Sequence, residues 1–140
     1  MTFLRHTILL RRILVVLSIC IATLLLKVGL YGIYDPAGYG FSLGLPFSNG
    51  PLRMTAIRNT VCGAGVLLTL YVEDRKQAGQ LLVLEMWTSL IDITLCWLNA
   101  GTLWAVLAHS GAGAIKGAVG WALQRTGKDS SGGQQDLREE

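Results

Sequence analysis

The hydrophobic pattern divides the chain into four long apolar stretches separated by polar or glycine-rich turns. Each stretch is about twenty residues long, the length that a helix needs to cross the hydrocarbon core of a bilayer. The pattern therefore predicts an all-α fold, an integral membrane four-helix bundle. The predicted spans are residues 13–33, 54–72, 79–98 and 103–123. Residues 1–125 are expected to form this single transmembrane domain, followed by a disordered polar tail over residues 126–140.

The connection between the first two spans has an unusual composition. Asp35-Pro36 predicts the end of the first helix, because the residue before a proline disfavours the helical conformation. Residues 35–52 are rich in glycine and proline, yet they are too apolar for a solvated loop. We expect this loop to lie on the membrane interface or to fold over the mouth of the bundle.

The distribution of basic residues predicts the orientation. They precede the first span, separate the second from the third and follow the fourth: Arg5, Arg11, Arg12, Arg75, Lys76, Arg125 and Lys128. Basic loops face the cytoplasm, so both termini are expected there. The basic start resembles a signal peptide, but its apolar run is too long and no cleavage site follows, which predicts a retained helix. The endoplasmic reticulum and the plasma membrane both remain open as locations.

Composition supports a membrane protein and argues against several other classes. Hydrophobic residues make up 51% of the chain and charged residues only 15%, which is too few to cover a soluble domain of this size. The net charge of +3 comes mostly from residues outside the apolar stretches, so no nucleic-acid partner is expected. The three cysteines all lie inside apolar stretches without a CxxC pair, which predicts no disulfide framework and no metal site. The sequence shows no haem, quinone or flavin signature, so no cofactor is expected.

Every predicted span contains at least one ionisable residue. A charge at bilayer depth costs a few kcal/mol, and it persists only where it faces a partner, a cavity or water. These residues therefore predict a polar interior that the helices share. They are Lys27, Arg58, Glu85, Asp92, His109 and Lys116.

Helical spacing places the polar residues on common faces and at comparable depths. In the third span, Glu85, Ser89 and Asp92 follow one another at intervals of four and three residues, which is one face of a helix. At 1.5 Å per residue, Asp92 and His109 lie roughly 10 Å from the predicted turn at residues 99–102, and Arg58 lies about 6–8 Å in. Glu85 and Lys116 lie deeper, at about 21 Å. The depths predict two layers, one with Asp92 beside Arg58 or His109, and one with Glu85 beside Lys116.

The first layer provides the candidate catalytic residues Asp92, His109 and Arg58. A carboxylate, an imidazole and a guanidinium at one depth could transfer protons or hold a polar group of a lipophilic ligand. For Glu85 and Lys116 we favour a purely structural pair that holds the helices together. The remaining polar-core and packing residues are Asn59, Ser89, and the glycines of a GxxxG pair, Gly113 and Gly117.

Short motifs in order along the chain resemble a family of small four-helix membrane proteins of unassigned function. The motifs are Gly44-Leu45-Pro46, Arg53, Ile57-Arg58-Asn59, Gly63-Ala64-Gly65, Asp74-Arg75, Asp92 and His109-Ser110-Gly111-Ala112. The resemblance covers residues 30–115 and implies bacterial and fungal members, some encoded in fungal secondary-metabolite gene clusters. It provides no catalytic residue, but it supports Arg58, Asn59, Asp92 and His109 as positions to test. Glu85 departs from the usual pattern of the family.

Three functions compete on these observations. The first is a membrane enzyme, or an accessory to one, that isomerises, cyclises or dehydrates a lipophilic metabolite by proton transfer. The second is a scaffold, complex subunit or homo-oligomer without catalysis, with the Gly113–Gly117 face and the apolar loop as contact surfaces. The third is a transporter component, which would require oligomerisation because four helices are few for a transporter core.

Overall fold

In the computed structural model of the protein, residues 2–43, 49–98 and 102–127 are described. These residues form helices only, which confirms the all-α prediction, and each long helix covers one predicted span to within a residue. The helices are α1 (Thr2–Tyr34), α2 (Pro36–Leu43), α3 (Asn49–Tyr71), α4 (Arg75–Leu98) and α5 (Leu103–Gly127).

The helices extend beyond the apolar stretches that predicted them. Helix α1 begins at Thr2, because residues 2–12 contain no glycine or proline that would stop it. Helix α5 runs to Gly127, past the predicted start of the tail. The rest of the predicted tail, the Gly44-Leu45-Pro46 motif and most of the predicted turn at residues 99–102 lie outside the described residues.

The connection predicted as a loop contains a helix, and this part of the prediction was wrong. Asp35 caps α2, since the backbone N–H of Gly38 donates to Asp35 Oδ1 at 3.0 Å. Pro36 takes the first helical position, where its missing N–H costs nothing. The Asp-Pro pair therefore ends one helix and begins the next, and it turns the chain so that Tyr39 becomes fully buried.

The long helices pack in two close pairs, α1 with α3 and α4 with α5. Glycines set the distance within each pair. A Cβ on Gly63 would lie 2.6 Å from the carbonyl oxygen of Ala22, and a Cβ on Gly120 would lie 2.7 Å from that of Gly79. At both crossings the backbones approach too closely for any side chain.

Helix α4 buries mostly small and polar side chains and exposes large apolar ones. The buried face of α4 carries small and polar residues, Ala78, Gly79, Leu82, Glu85, Ser89, Asp92 and Cys96. Its outward face carries large apolar residues such as Leu84, Trp87 and Ile91. Soluble proteins rarely expose contiguous apolar surface on this scale.

Within the described residues, two segments are long and apolar enough to cross a membrane. They are Ile8–Tyr34, with a mean hydropathy of 2.6, and Arg75–Leu98, with a mean hydropathy of 1.6. This weakly indicates that the protein associates with a membrane. Helices α3 and α5, at 23 and 25 residues, are also long enough, but glycine and polar residues interrupt their apolar sequences.

The interior has two apolar clusters with a polar layer between them. The first lies near the start of α1 and α4 and comprises Leu14, Ala22, Cys62, Val66, Ala78, Leu82, Val119 and Leu123. The second lies near the end of α4 and comprises Tyr39, Leu52, Ala56 and Cys96. Glu85, Ser89 and Asp92 lie on α4 between Leu82 of the first cluster and Cys96 of the second. The polar layer therefore has an apolar cluster at each end.

Candidate functional site

The polar layer is assembled by three helices. Helix α4 presents Glu85, Ser89 and Asp92 on one buried face, because they recur at the spacing of a helical turn. Helix α3 contributes Arg58 and its neighbour Asn59. Helix α5 contributes Lys116 and His109.

Arg58 and Asp92 form the ion pair that depth predicted. Arg58 Nη2 donates to Asp92 Oδ2 at 2.9 Å, and Nη1 donates to Oδ1 at 3.4 Å. This two-point contact matches the planar guanidinium to the carboxylate and fixes both groups. Arg58 Nη2 also donates to the amide oxygen of Asn59 at 3.2 Å, which ties the guanidinium to its own helix.

Glu85 and Lys116 form the second predicted pair. Lys116 Nζ lies 3.4 Å from Glu85 Oε2 and donates to Ser89 Oγ at 2.7 Å. The Ser89 hydroxyl in turn donates to the backbone carbonyl of Glu85 at 3.0 Å. The carboxylate of Glu85 is only 2% exposed, so its charge depends on these partners rather than on water.

The two pairs are also joined in one network, a contact that the predicted layers did not include. Arg58 Nε lies 3.8 Å from Glu85 Oε1, within ion-pair range although too long for a hydrogen bond. The depth estimate used Cα positions, whereas the arginine side chain reaches along the bundle axis as well as across it. The resulting order is Lys116, Glu85, Arg58, Asp92, with two positive and two negative charges.

A cavity of about 160 Å³ opens beside the network. It brings together all three candidate catalytic residues, Arg58, Asp92 and His109, with Asn59, Ser89 and Lys116. Its opposite wall is apolar and comes from α1, through Leu24, Leu25 and Val28. Lys27 on the same helix is exposed and takes no part in the cavity.

Tyr39 also lines this cavity, and sequence reasoning missed it. The Asn59 amide nitrogen donates to the Tyr39 hydroxyl at 3.0 Å. Burial raises the pKa of Tyr39 to about 12, so the phenol stays neutral at physiological pH. The signal that could have found it is Asp35-Pro36, since a capping residue followed by proline also marks a helix start.

The glycines of the GxxxG pair pack against helix α4 of the same chain. A Cβ on Gly113 would lie 3.1 Å from Ser89 Cβ, and one on Gly117 would meet the sulfur of Met86. This close approach of α5 to α4 lets Lys116 reach Ser89 and Glu85. Helix α4 thus occupies the glycine face, which is not available to a second protein as the scaffold hypothesis required.

The polar side chains are arranged for pairing with each other rather than for holding a metal. Within residues 2–43, 49–98 and 102–127, no group of three or more His, Cys, Asp and Glu side chains lies close enough together to hold a metal ion. The carboxylates of Glu85 and Asp92 are instead directed at the cations of Arg58 and Lys116.

The family model described as "Domain of unknown function (DUF4267)" matches residues 22–123 of the chain. The match covers well over half of the sequence, so the chain belongs to this family. No curated protein and no solved structure matches the chain. The matched range contains every residue of the polar network and its cavity.

Proposed function

We propose that this member of the DUF4267 family is a four-span membrane protein that takes part in the synthesis of a lipophilic secondary metabolite. In this proposal α1, α3, α4 and α5 cross the bilayer, both termini are cytoplasmic, and the membrane is the endoplasmic reticulum or the plasma membrane. The outward apolar face of α4 and the buried charges of Glu85 and Lys116 support the membrane placement. Arg11 and Arg75 lie at the end of the bundle where the first apolar cluster is found. Basic residues favour the cytoplasmic side, so this end supports the proposed orientation.

The observation that carries the chemical part of the proposal is the shared cavity of Arg58, Asp92 and His109. An imidazole is the side chain best suited to gain and lose a proton near neutral pH. Asp92 holds the guanidinium of Arg58 through two contacts, so the arginine is oriented before a ligand arrives. In this proposal His109 is the proton carrier, and Arg58 is the fixed positive charge in the same cavity.

With these groups, the protons and electrons of an isomerisation or a cyclisation balance. His109 would remove a proton from a carbon next to a carbonyl, and the electron pair of that C–H bond would move to the carbonyl oxygen. The guanidinium of Arg58 would stabilise the resulting enolate. In the isomerisation of a β,γ-unsaturated carbonyl compound, the dienolate takes the proton back from His109 at its γ-carbon, the carbonyl re-forms and the double bond moves next to it. In a cyclisation the enolate carbon instead attacks a second carbonyl of the same molecule, and that carbonyl oxygen takes the proton from His109. Neither reaction consumes an oxidant or a reductant.

A non-catalytic role as a scaffold or accessory subunit is the second candidate. The corner between α1 and α2 exposes aromatic side chains, with Phe41 93% exposed and Tyr34 91% exposed. Such side chains are common at contact surfaces with other membrane proteins and at the membrane interface. In this case the polar network only holds the helices together.

The test is a gene knockout with untargeted metabolite profiling, complemented by wild type, Asp92→Asn or His109→Ala. Ser110→Ala is the matched control, because Ser110 is the neighbour of His109 but is exposed. We expect a lipophilic intermediate to accumulate in the knockout. Wild type and Ser110→Ala should clear it, whereas the other two variants should not, at equal protein levels in the membrane fraction.

Two other outcomes would change the conclusion. If the knockout accumulates the intermediate but Asp92→Asn and His109→Ala both clear it, the protein acts as a scaffold. If the knockout changes no metabolite, the biosynthetic role is wrong.

A further inference from the structure

We infer that the polar cavity binds a neutral, oxygen-bearing apolar molecule, such as a long-chain alcohol or ketone, which enters sideways from the bilayer between α1 and α5. This inference rests on the membrane placement proposed above and names the class of ligand for the same site. Three observations carry it: the closed ends of the cavity, the apolar groove beside it and the charge balance of the network.

The ends of the bundle are closed. The first apolar cluster places Val66 and Leu82, both fully buried, on one side of the polar layer. The second cluster places Tyr39 and Cys96, also fully buried, on the other side. Among the described residues, a ligand moving along the bundle axis would therefore have to displace these packed side chains.

The side between α1 and α5 is open. A groove of about 330 Å³ runs between these helices, and its wall is almost entirely apolar. It shares Leu24, Leu25, Ala112 and Lys116 with the polar cavity, so the two spaces adjoin. Leu24 is 61% exposed and Ile115 is 59% exposed, which places the mouth of the groove on the outward surface.

The two spaces together fit a molecule with a polar end and an apolar body. Their volumes, about 160 Å³ and about 330 Å³, lie within the range of small-molecule sites when combined. Lys116 stands where they meet, with its ammonium in the network and its aliphatic chain along the groove. The polar end would lie beside Arg58 and His109, and the apolar body would lie along α1.

The charge of the network selects a neutral polar end. With His109 neutral, the charges of Arg58, Lys116, Glu85 and Asp92 sum to zero; the first two and Asp92 line the cavity, and Glu85 lies behind them. A carboxylate or phosphate would add an uncompensated negative charge to this network beside Asp92, and an ammonium would face the cations of Arg58 and Lys116. A hydroxyl or carbonyl oxygen adds no charge.

The network also offers a donor for such an oxygen. Arg58 Nε is buried, and within the described part of the chain it has no hydrogen-bond partner. A carbonyl or hydroxyl oxygen that displaced the side chains around this donor would satisfy it and leave the two contacts of Arg58 with Asp92 intact.

The test uses the purified full-length protein in phosphatidylcholine nanodiscs at pH 8. Two probes carry the same alkyl chain and diazirine, one ending in an alcohol and the other in a carboxylate. We expect saturable photolabelling by the alcohol, with an apparent Kd at least tenfold lower than that of the acid. The label should map to residues 20–28 of α1 or 109–116 of α5.

Groove variants make the test specific. Ala112→Phe fills the groove and should lower labelling at least tenfold. Ala114→Phe, an equally exposed alanine that does not line the groove, should label like wild type. If Ala112→Phe loses its helical circular dichroism, Ile115→Trp fills the same groove from an outward position and carries the same expectation.

Equal or tighter labelling by the acid would overturn the neutral class. Unchanged labelling in the folded groove variants would overturn the sideways route. Neither readout requires turnover, so the two proposals can fail separately. If the probes bind but His109→Ala still clears the metabolite, the proposed chemistry is wrong and the ligand class stands. The same conclusion follows if the probes bind but the gene knockout changes no metabolite.

Discussion

Helix α5 packs in two different ways on its two sides, and the comparison shows what shapes the site. Towards α4 it presents Gly113, Gly117 and Gly120, and the backbones meet without a gap. Towards α1 it presents Ala112 and Ile115, and a groove of about 330 Å³ remains. We call the first contact the closed seam and the second the open seam.

The difference follows from the size of the side chains and from what each seam holds. Glycines bring α4 and α5 near enough for Lys116 to reach Glu85 at 3.4 Å, so the closed seam can bury charge. The open seam is lined instead by branched side chains such as Leu24 and Ile115. One helix thus provides a rigid, charge-bearing side and an accessible apolar side, and the cavity lies between them.

The largest effect should come from breaking the ion pairs of the closed seam. Glu85→Leu leaves Lys116 buried without its carboxylate, and we expect a loss of about 3–5 kcal/mol in the free energy of unfolding. The measurement is SDS titration in mixed micelles, followed by circular dichroism. The double variant Glu85→Leu/Lys116→Leu should regain most of the loss. If the double variant is less stable than the single one, the pair is not the source of the effect.

A smaller effect should come from adding one methyl group to the closed seam. Gly120→Ala places a Cβ 2.7 Å from the carbonyl oxygen of Gly79, so the backbones must separate, at a cost of about 1–3 kcal/mol. Gly111→Ala is the matched control, because a Cβ there has no neighbour within 4 Å. The control should be slightly stabilised, by up to about 1 kcal/mol, since alanine favours a helix over glycine. Equal responses at both positions in the same titration would contradict the closed seam.

The smallest effect should come from the open seam. Ile115→Ala removes a side chain that is 59% exposed and should change the unfolding free energy by less than about 0.5 kcal/mol. Val119→Ala, one turn further along α5, removes a side chain that is only 7% exposed and should cost about 1–2 kcal/mol. Thermal unfolding in detergent compares the two. A larger loss for Ile115→Ala would mean that α1 packs firmly on α5.

The positions of the long helices and the two ion pairs could be predicted from sequence because the helix has a fixed rise and period. A residue number therefore converts into a depth and a face. These predicted Glu85 beside Lys116, and Asp92 beside Arg58 or His109. Two structural features escaped this reasoning. Helix α2 was not predicted, because its glycines disfavour a helix and its proline predicts the end of the preceding one. The Arg58–Glu85 contact depends on side-chain reach, which Cα depth does not contain.

The open seam could not be predicted for a different reason. Helix α1 is apolar on nearly all sides, so its sequence does not specify which face turns towards α5. Leu24, Leu25 and Val28 therefore gave no sign that they form the apolar wall of a cavity. The roles of Arg58, Asp92 and His109 in chemistry stay a prediction, since proximity in one cavity brings them together without showing a reaction.

The neutral network also has a consequence for how the chain is made. No helix that contributes to it is balanced alone: α3 brings Arg58, α4 brings Glu85 and Asp92, and α5 brings Lys116. In the proposed membrane placement, each of these helices carries its charge in lipid until the others pack against it. Assembly is thereby coupled across the chain, since without α5 the network would hold two carboxylates against one arginine and keep one negative charge unmatched.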